Sequence, residues 1–181
     1  MFRPAASARS IHVRRRARGF VAVTCAVSCA AALAAGCRDL TSPAQDPTRI
    51  TYAPALGIDL SRYTRDTSGV YYLDVTVGSG PKAIANSTVL VYYTGWLADG
   101  RRFGAVQPPE SPFSFVIGQG QTVRGFDRGL LNVPQGTRRR LVIPPALGYG
   151  NVSQANNIPA GSVLVYEVDV NSVTQPATTT K

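Results

Sequence analysis

A chain of 181 residues, 44% apolar and 16% charged, has room for one domain of ordinary size with tails, and its composition argues against general disorder. Its net charge of +9 is unevenly placed: six of the nineteen basic residues (Arg3, Arg9, Arg14, Arg15, Arg16 and Arg18) precede the first apolar run, and all ten acidic residues follow it. The remainder beyond residue 36 has thirteen basic against ten acidic residues, little pull on phosphate, so nucleic acid is not an expected partner.

The arginine-rich start leads into an alanine-rich apolar stretch from Phe20 and ends in small residues at Gly36, the parts of a secretory signal, expected over 1–36. A retained membrane anchor needs about 20 solidly apolar residues, which this run reaches only if its Ala, Ser, Thr and Gly all count. The ending Leu33-Ala34-Ala35-Gly36-Cys37 resembles a bacterial lipoprotein cleavage site, with Leu one position farther from the cysteine than usual. Cys37 is accordingly the expected lipidation site, although a plain cut after Ala34 or Ala35 is the alternative. The expectation is a protein of the bacterial cell envelope, lipid-anchored, at the periplasmic face of the outer membrane where two membranes exist. Arg15-Arg16-Ala17-Arg18-Gly19-Phe20 is a weak twin-arginine signal.

Removing the signal removes Cys25, Cys29 and His12, and leaves one cysteine and no histidine. A disulfide within the chain, a cysteine or histidine metal site, a Ser-His-Asp triad and a Cys-His dyad are thereby excluded, so no metal and no cofactor is expected. From residue 37 to 65 the polar, proline-punctuated chain reads as a flexible tether, with a weakly apolar patch from Ile50 to Leu60 as the part able to pack on the domain.

The domain is expected over 66–173. Val70–Val77 is rich in β-branched and aromatic residues and stops at Gly78-Ser79-Gly80-Pro81. Thr88–Thr94 is a second strand, and a turn at Asp99-Gly100 leads into Arg101-Arg102-Phe103 as a tight hairpin. Phe113–Ile117 alternates until Gly118. Val123, Phe126, Leu130 and Leu131 form the one helical stripe. Arg139–Ile143 is a further strand, with Arg138-Arg139-Arg140 read as a solvated stretch rather than a binding patch. In the last strand Leu164, Tyr166, Val168 and Val170 share one face, and Glu167, Asp169 and Asn171 the other. The tail from Thr174 to Lys181 reads as disordered. These elements predict an α+β domain: an antiparallel sheet of five to six strands wrapped around one short helix, with a groove along their seam.

Tyr92-Tyr93-Thr94-Gly95, Asp99-Gly100-Arg101-Arg102-Phe103, Pro112-Phe113-Ser114-Phe115, Val123-Arg124-Gly125-Phe126, Ile143-Pro144-Pro145, Tyr149-Gly150, Ile158-Pro159 and Leu164-Val165-Tyr166 follow one another in an order and spacing that resembles the FKBP-type peptidyl-prolyl isomerases from about Thr88 to Val173. The resemblance implies an aromatic cup for a proline ring, formed by Tyr93, Phe103, Phe113, Val123, Phe126, Tyr149, Ile158 and Tyr166, with Phe126 as its floor. It also implies that the Val123 backbone N–H and the Tyr149 hydroxyl bond substrate carbonyls. Tyr93, Phe103, Phe126 and Tyr149 would be catalytic, and Phe113, Val123, Ile158 and Tyr166 substrate-binding. Each aromatic has a competing place in the core; Phe115, on the same face as Phe113, is assigned there. Tyr149 lies in a Pro/Gly loop with no strand face to fill. Implied partners are proline-containing unfolded or exported proteins, with macrolide inhibitors as a further ligand class, acting on a monomer.

Two positions depart from the family. Gly104 stands where an aspartate usually orients the Tyr93 hydroxyl, and Pro109 where a basic residue often pairs with that aspartate. Both members are missing together, so no single charge is stranded. The expectation is retained binding with reduced turnover. A prolyl-peptide-binding chaperone or scaffold is the alternative, and a purely structural lipoprotein the third reading.

Overall fold

The computed structural model describes residues 44–154 and 157–177. The expected signal over 1–36, Cys37 and the end of the tail, 178–181, lie outside the described residues.

In chain order the elements are β1 (Thr64–Arg65), β2 (Tyr71–Thr76), β3 (Thr88–Leu97), β4 (Arg102–Val106), β5 (Phe113–Val116), α1 (Arg124–Leu130), β6 (Arg138–Ile143) and β7 (Leu164–Thr174). Every pairing is antiparallel, in the order β1-β2-β6-β7-β3-β4, and β5 also pairs with β3. β3 thus gives one edge to two partners, Val89–Val91 facing β5 and Tyr93–Trp96 facing β4. The sheet has one strand more than expected. The extra one, β1, is two residues long and carries no periodicity to read.

The expected hairpin forms: Gly100, at φ +87°, donates its N–H to the Leu97 carbonyl, and Asp99 accepts from the Arg101 N–H. In β7, Leu164, Tyr166, Val168 and Val170 face the core as their alternation requires. A bulge opposite Leu90–Val91 leaves Asn171 unpaired, and so Val173 returns to the same face three residues after Val170. Thr174, expected in the disordered tail, closes β7 by pairing with Thr88, and the Gln175 side chain donates to the Lys82 carbonyl.

Helix α1 crosses the sheet on two glycines. A Cβ at Gly125 would collide with Ile143, and one at Gly129 would lie 2.7 Å from Leu141 Cδ2. Glycine inside a helix costs about 1 kcal/mol relative to alanine; here it permits contact with β6 that no larger residue allows. The expected stripe holds at Phe126 and Leu130, both buried, but ends there. Leu131 has left helical geometry (φ −64°, ψ 134°) and is 40% exposed, because Asn132, at φ +62°, turns the chain toward Val133, which is buried in its place.

The segment expected as a tether is folded from residue 44 to β1. Leu56 and Tyr63 join Val142, Val163 and Val165 in a second buried cluster on the sheet face opposite α1, flanked by Ile50, Tyr52, Ile58, Leu60 and Trp96. Two short 3-10 turns, Pro54–Leu56 and Leu60–Arg62, shape this strap, and the Ala53 N–H bonds the Ala98 carbonyl. The apolar patch at 50–60 has a sheet face to cover, and burial outweighs the polarity of its neighbours. The arginine run is also not simply solvated. Arg138 pairs with Asp169, Arg139 with Asp74 and Arg140 with Glu167. Arg139, 11% exposed, further donates to the Gly129 carbonyl and lies 4.3 Å over the Tyr72 ring, tying the end of α1 to β2. Arg140 also donates to the Leu56 carbonyl and so holds the strap.

Candidate functional site

The seam between α1 and the concave sheet opens into a cavity of about 170 Å³ lined by Tyr93, Phe103, Gly104, Phe113, Gln121, Thr122, Val123, Phe126, Tyr149 and Tyr166. Strand β3 supplies Tyr93, β4 Phe103 and Gly104, β5 Phe113, α1 Phe126, β7 Tyr166, and the loop after the 3-10 turn Pro145–Leu147 supplies Tyr149. Seven of the eight residues expected in the cup are thereby brought together. The eighth, Ile158, is 2% exposed, packs in the core cluster and is not among the residues lining the cavity. Phe115 is core, as assigned, 1% exposed and stacked 5.7 Å from Phe113.

The floor is a set of edge-to-face rings. Phe126, 3% exposed, lies 5.0 Å from Tyr166 and 6.0 Å from Tyr93, and Phe103 lies 5.4 Å from Tyr166. Such pairs each contribute about 0.5–1.5 kcal/mol beyond their buried area, so the walls resist collapse into an empty cavity.

Phe103 reaches the cup through a bulge. Gly95 pairs with Gly104 and Trp96 with Arg102, so Phe103 is the extra residue between them and turns to the face that its alternation would deny it. Gly95 makes the space, because a Cβ there would lie 2.6 Å from Phe103 Cζ and 3.0 Å from Tyr166 Cε1.

Opposite, the entry to α1 is held by Asp127, which accepts from the Thr122 hydroxyl at 3.1 Å and the Gly118 N–H at 3.3 Å, while Gln121 Oε1 accepts from the Val116 N–H at 2.7 Å. Gln121 and Thr122 line the cavity and sequence reasoning missed them. Their signal, a hydroxyl and an amide ahead of a helix, reads as an ordinary helix entry. Val123 then stands at the N-terminal boundary of α1, and its N–H finds no partner among the described residues. The hydroxyls of Tyr93 and Tyr149, both in the lining, likewise find no partner among the described residues.

Burial raises the Tyr93 and Tyr166 hydroxyls above the ordinary phenol range, and the neighbouring Tyr149 adds to both shifts. They remain proton donors at neutral pH. The lining contains no carboxylate, imidazole, amine or thiol. It offers apolar ring faces with a few neutral donors at the rim, a binding site for a compact apolar ring joined to a carbonyl-bearing chain.

Sheet, helix and cup together define a receptor for such a group. A family model described as FKBP-type peptidyl-prolyl cis-trans isomerase matches residues 80–171, and the chain belongs to that family. It is 45% identical over 80 residues to peptidyl-prolyl cis-trans isomerase FKBP2 of Mus musculus, covering 44% of this chain and 57% of that protein. It is 32% identical over 105 residues to the FK506-binding protein of Neisseria meningitidis serogroup B, covering 58% of this chain and 96% of that one. The crystal structure of a peptidyl-prolyl cis-trans isomerase from Pseudomonas syringae pv. tomato superposes with a TM-score of 0.57 at 32% identity, over 63% of this chain and 82% of that one.

Proposed function

We propose that the chain catalyses cis/trans isomerisation of X–Pro bonds, taking the proline ring into the cup over Phe126. The observation that carries this reading is the aromatic cup with two donors that find no partner among the described residues, the Val123 N–H and the Tyr149 hydroxyl, both at lining residues.

The chemistry suits the groups present. Rotation about a peptide bond breaks no covalent bond; its barrier of ~18–20 kcal/mol comes from amide resonance. That resonance puts negative charge on the carbonyl oxygen, which water stabilises. Transfer among rings removes the water, and the twisted amide, less polarised, loses less by it. A pocket that fits the twisted form binds it in preference to either planar isomer. The Val123 N–H and the Tyr149 hydroxyl would hold the flanking carbonyls, and no proton need be transferred.

Cis/trans exchange of an Ala-Leu-Pro-Phe peptide, followed by NMR exchange spectroscopy with sub-stoichiometric protein, tests the reading. Acceleration that disappears in Phe126→Ala supports it. A second reading, a prolyl-peptide binder with little turnover, is favoured by Gly104, which leaves the Tyr93 hydroxyl without the carboxylate partner that the resemblance would supply. Peptide shifts without faster exchange would establish it.

We further propose an exported protein with a lipid on Cys37, serving proline-containing exported chains at the bacterial envelope. Mass spectrometry of the membrane fraction from cells carrying the native or the Cys37→Ser chain checks this; an unmodified, soluble native protein refutes it.

A further inference from the structure

We propose that Gln45, in the strap, is a positioning residue for the cup, because it holds the loop that carries Tyr149; this rests on the cup being the proline site. Between the 3-10 turn at Pro145–Leu147 and β7 the described residues form no strand, and Tyr149 stands near the start of this stretch. A short relay of backbone bonds holds that start. Gly150 donates to the Pro145 carbonyl at 2.8 Å, and the Gly150 carbonyl accepts from the Gly161 N–H at 2.8 Å. The Gly161 carbonyl in turn accepts from the Gln45 N–H at 2.8 Å. The Gln45 side chain then closes on the same limb, its Oε1 accepting from the Val163 N–H at 2.9 Å.

Gln45 therefore grips residues 161 and 163 from a segment more than one hundred residues away in sequence, as a strand residue would. Its side chain is exposed and belongs to neither apolar cluster. The strap itself is seated independently, by buried Pro47, by Leu56 and Tyr63 packed with Val142, Val163 and Val165, and by the Ala53–Ala98 bond. What the two Gln45 bonds add is the setting of the return limb, and through Gly161 and Gly150 the placement of Tyr149.

Gln45→Leu keeps the backbone bond and removes the side-chain acceptor, whereas Gln45→Glu keeps the acceptor. In Gln45→Leu, amide hydrogen exchange at Gly161 and Val163 should quicken about fivefold, the factor of one ordinary hydrogen bond. Emission from Trp96, which lies under the strap, should not change. Affinity for Ala-Leu-Pro-Phe should fall by a similar factor and return in Gln45→Glu. In a Tyr149→Phe background Gln45→Leu should cost nothing further, because it acts through that hydroxyl. Equal losses in both backgrounds, or unchanged protection at Gly161, overturn the proposal. A native protein that binds no peptide would instead overturn the cup as proline site, while the exchange data still judge the relay.

Discussion

Gly95→Ala adds one methyl group at the point where β3, Phe103 and Tyr166 meet. The new Cβ would lie 2.6 Å from Phe103 Cζ, 2.7 Å from Cε2 and 3.0 Å from Tyr166 Cε1. Carbon atoms rest about 3.5–4.0 Å apart, so the Phe103 ring must retreat by roughly 1 Å. Tyr166, 6% exposed and packed on Phe126, has little room to yield, and so the shift falls on Phe103 at the cup wall. Overpacking of this kind costs about 1–3 kcal/mol, and partial relief into the cavity puts the expected loss of stability near the lower bound. Activity should suffer more, because a displacement of about 1 Å in a positioned group can cost 10²-fold. We expect kcat/KM for Ala-Leu-Pro-Phe exchange to fall at least tenfold while the protein still unfolds cooperatively in urea. Gly104→Ala is the control: its Cβ meets only Tyr93, at 3.9 Å, an ordinary contact. If Gly95→Ala exchanges the peptide at the native rate, Phe103 does not form part of the working surface and the reasoning fails.

Gly104→Asp places a carboxylate beside Tyr93, since its Cβ would sit 3.9 Å from the Tyr93 hydroxyl. Exchange should accelerate several-fold, and an unchanged or slower rate would show that position 104 does not limit turnover. Arg139→Ala removes both bonds to Asp74, the bond to Gly129 and the contact with Tyr72. Breaking a fully buried pair costs about 3–5 kcal/mol; with 11% and 25% exposure of the two partners the loss should lie below that range, and a urea midpoint shift of zero would contradict it. Burial raises Tyr93, Tyr166, Tyr63 and Tyr52 above their ordinary value of 10.0, so the folded state keeps protons that the unfolded chain has released. Stability from these groups is complete below pH 10 and declines as pH rises through and beyond it. The Tm should therefore drop between pH 9 and 11, and a constant Tm over that range would refute the shifts.

Strands β2 to β7 and the helix were legible because half-buried elements write their orientation as alternation or as a stripe. The motif series in turn made seven cup residues legible. The failures have local causes. Leu131 fitted the stripe, but no pattern showed the helix ending one residue earlier at a positive-φ Asn132. Ile158 was placed in the cup by the family resemblance; it is buried in the core cluster and is not among the residues lining the cavity.

By itself, the order of residues determined an antiparallel sheet with one short helix, a domain whose residues include no histidine, the one in the chain being His12, and an aromatic set suited to binding rather than to proton transfer. Only the tertiary structure decided that residues 44–65 are a strap rather than a tether, since a weakly apolar patch packs only when a complementary sheet face lies opposite. It also decided the bulge that turns Phe103 inward, the room left by Gly95 and the reach of Gln45 to Gly161 and Val163. Each of these depends on distances between segments far apart in the chain, which no local spacing encodes.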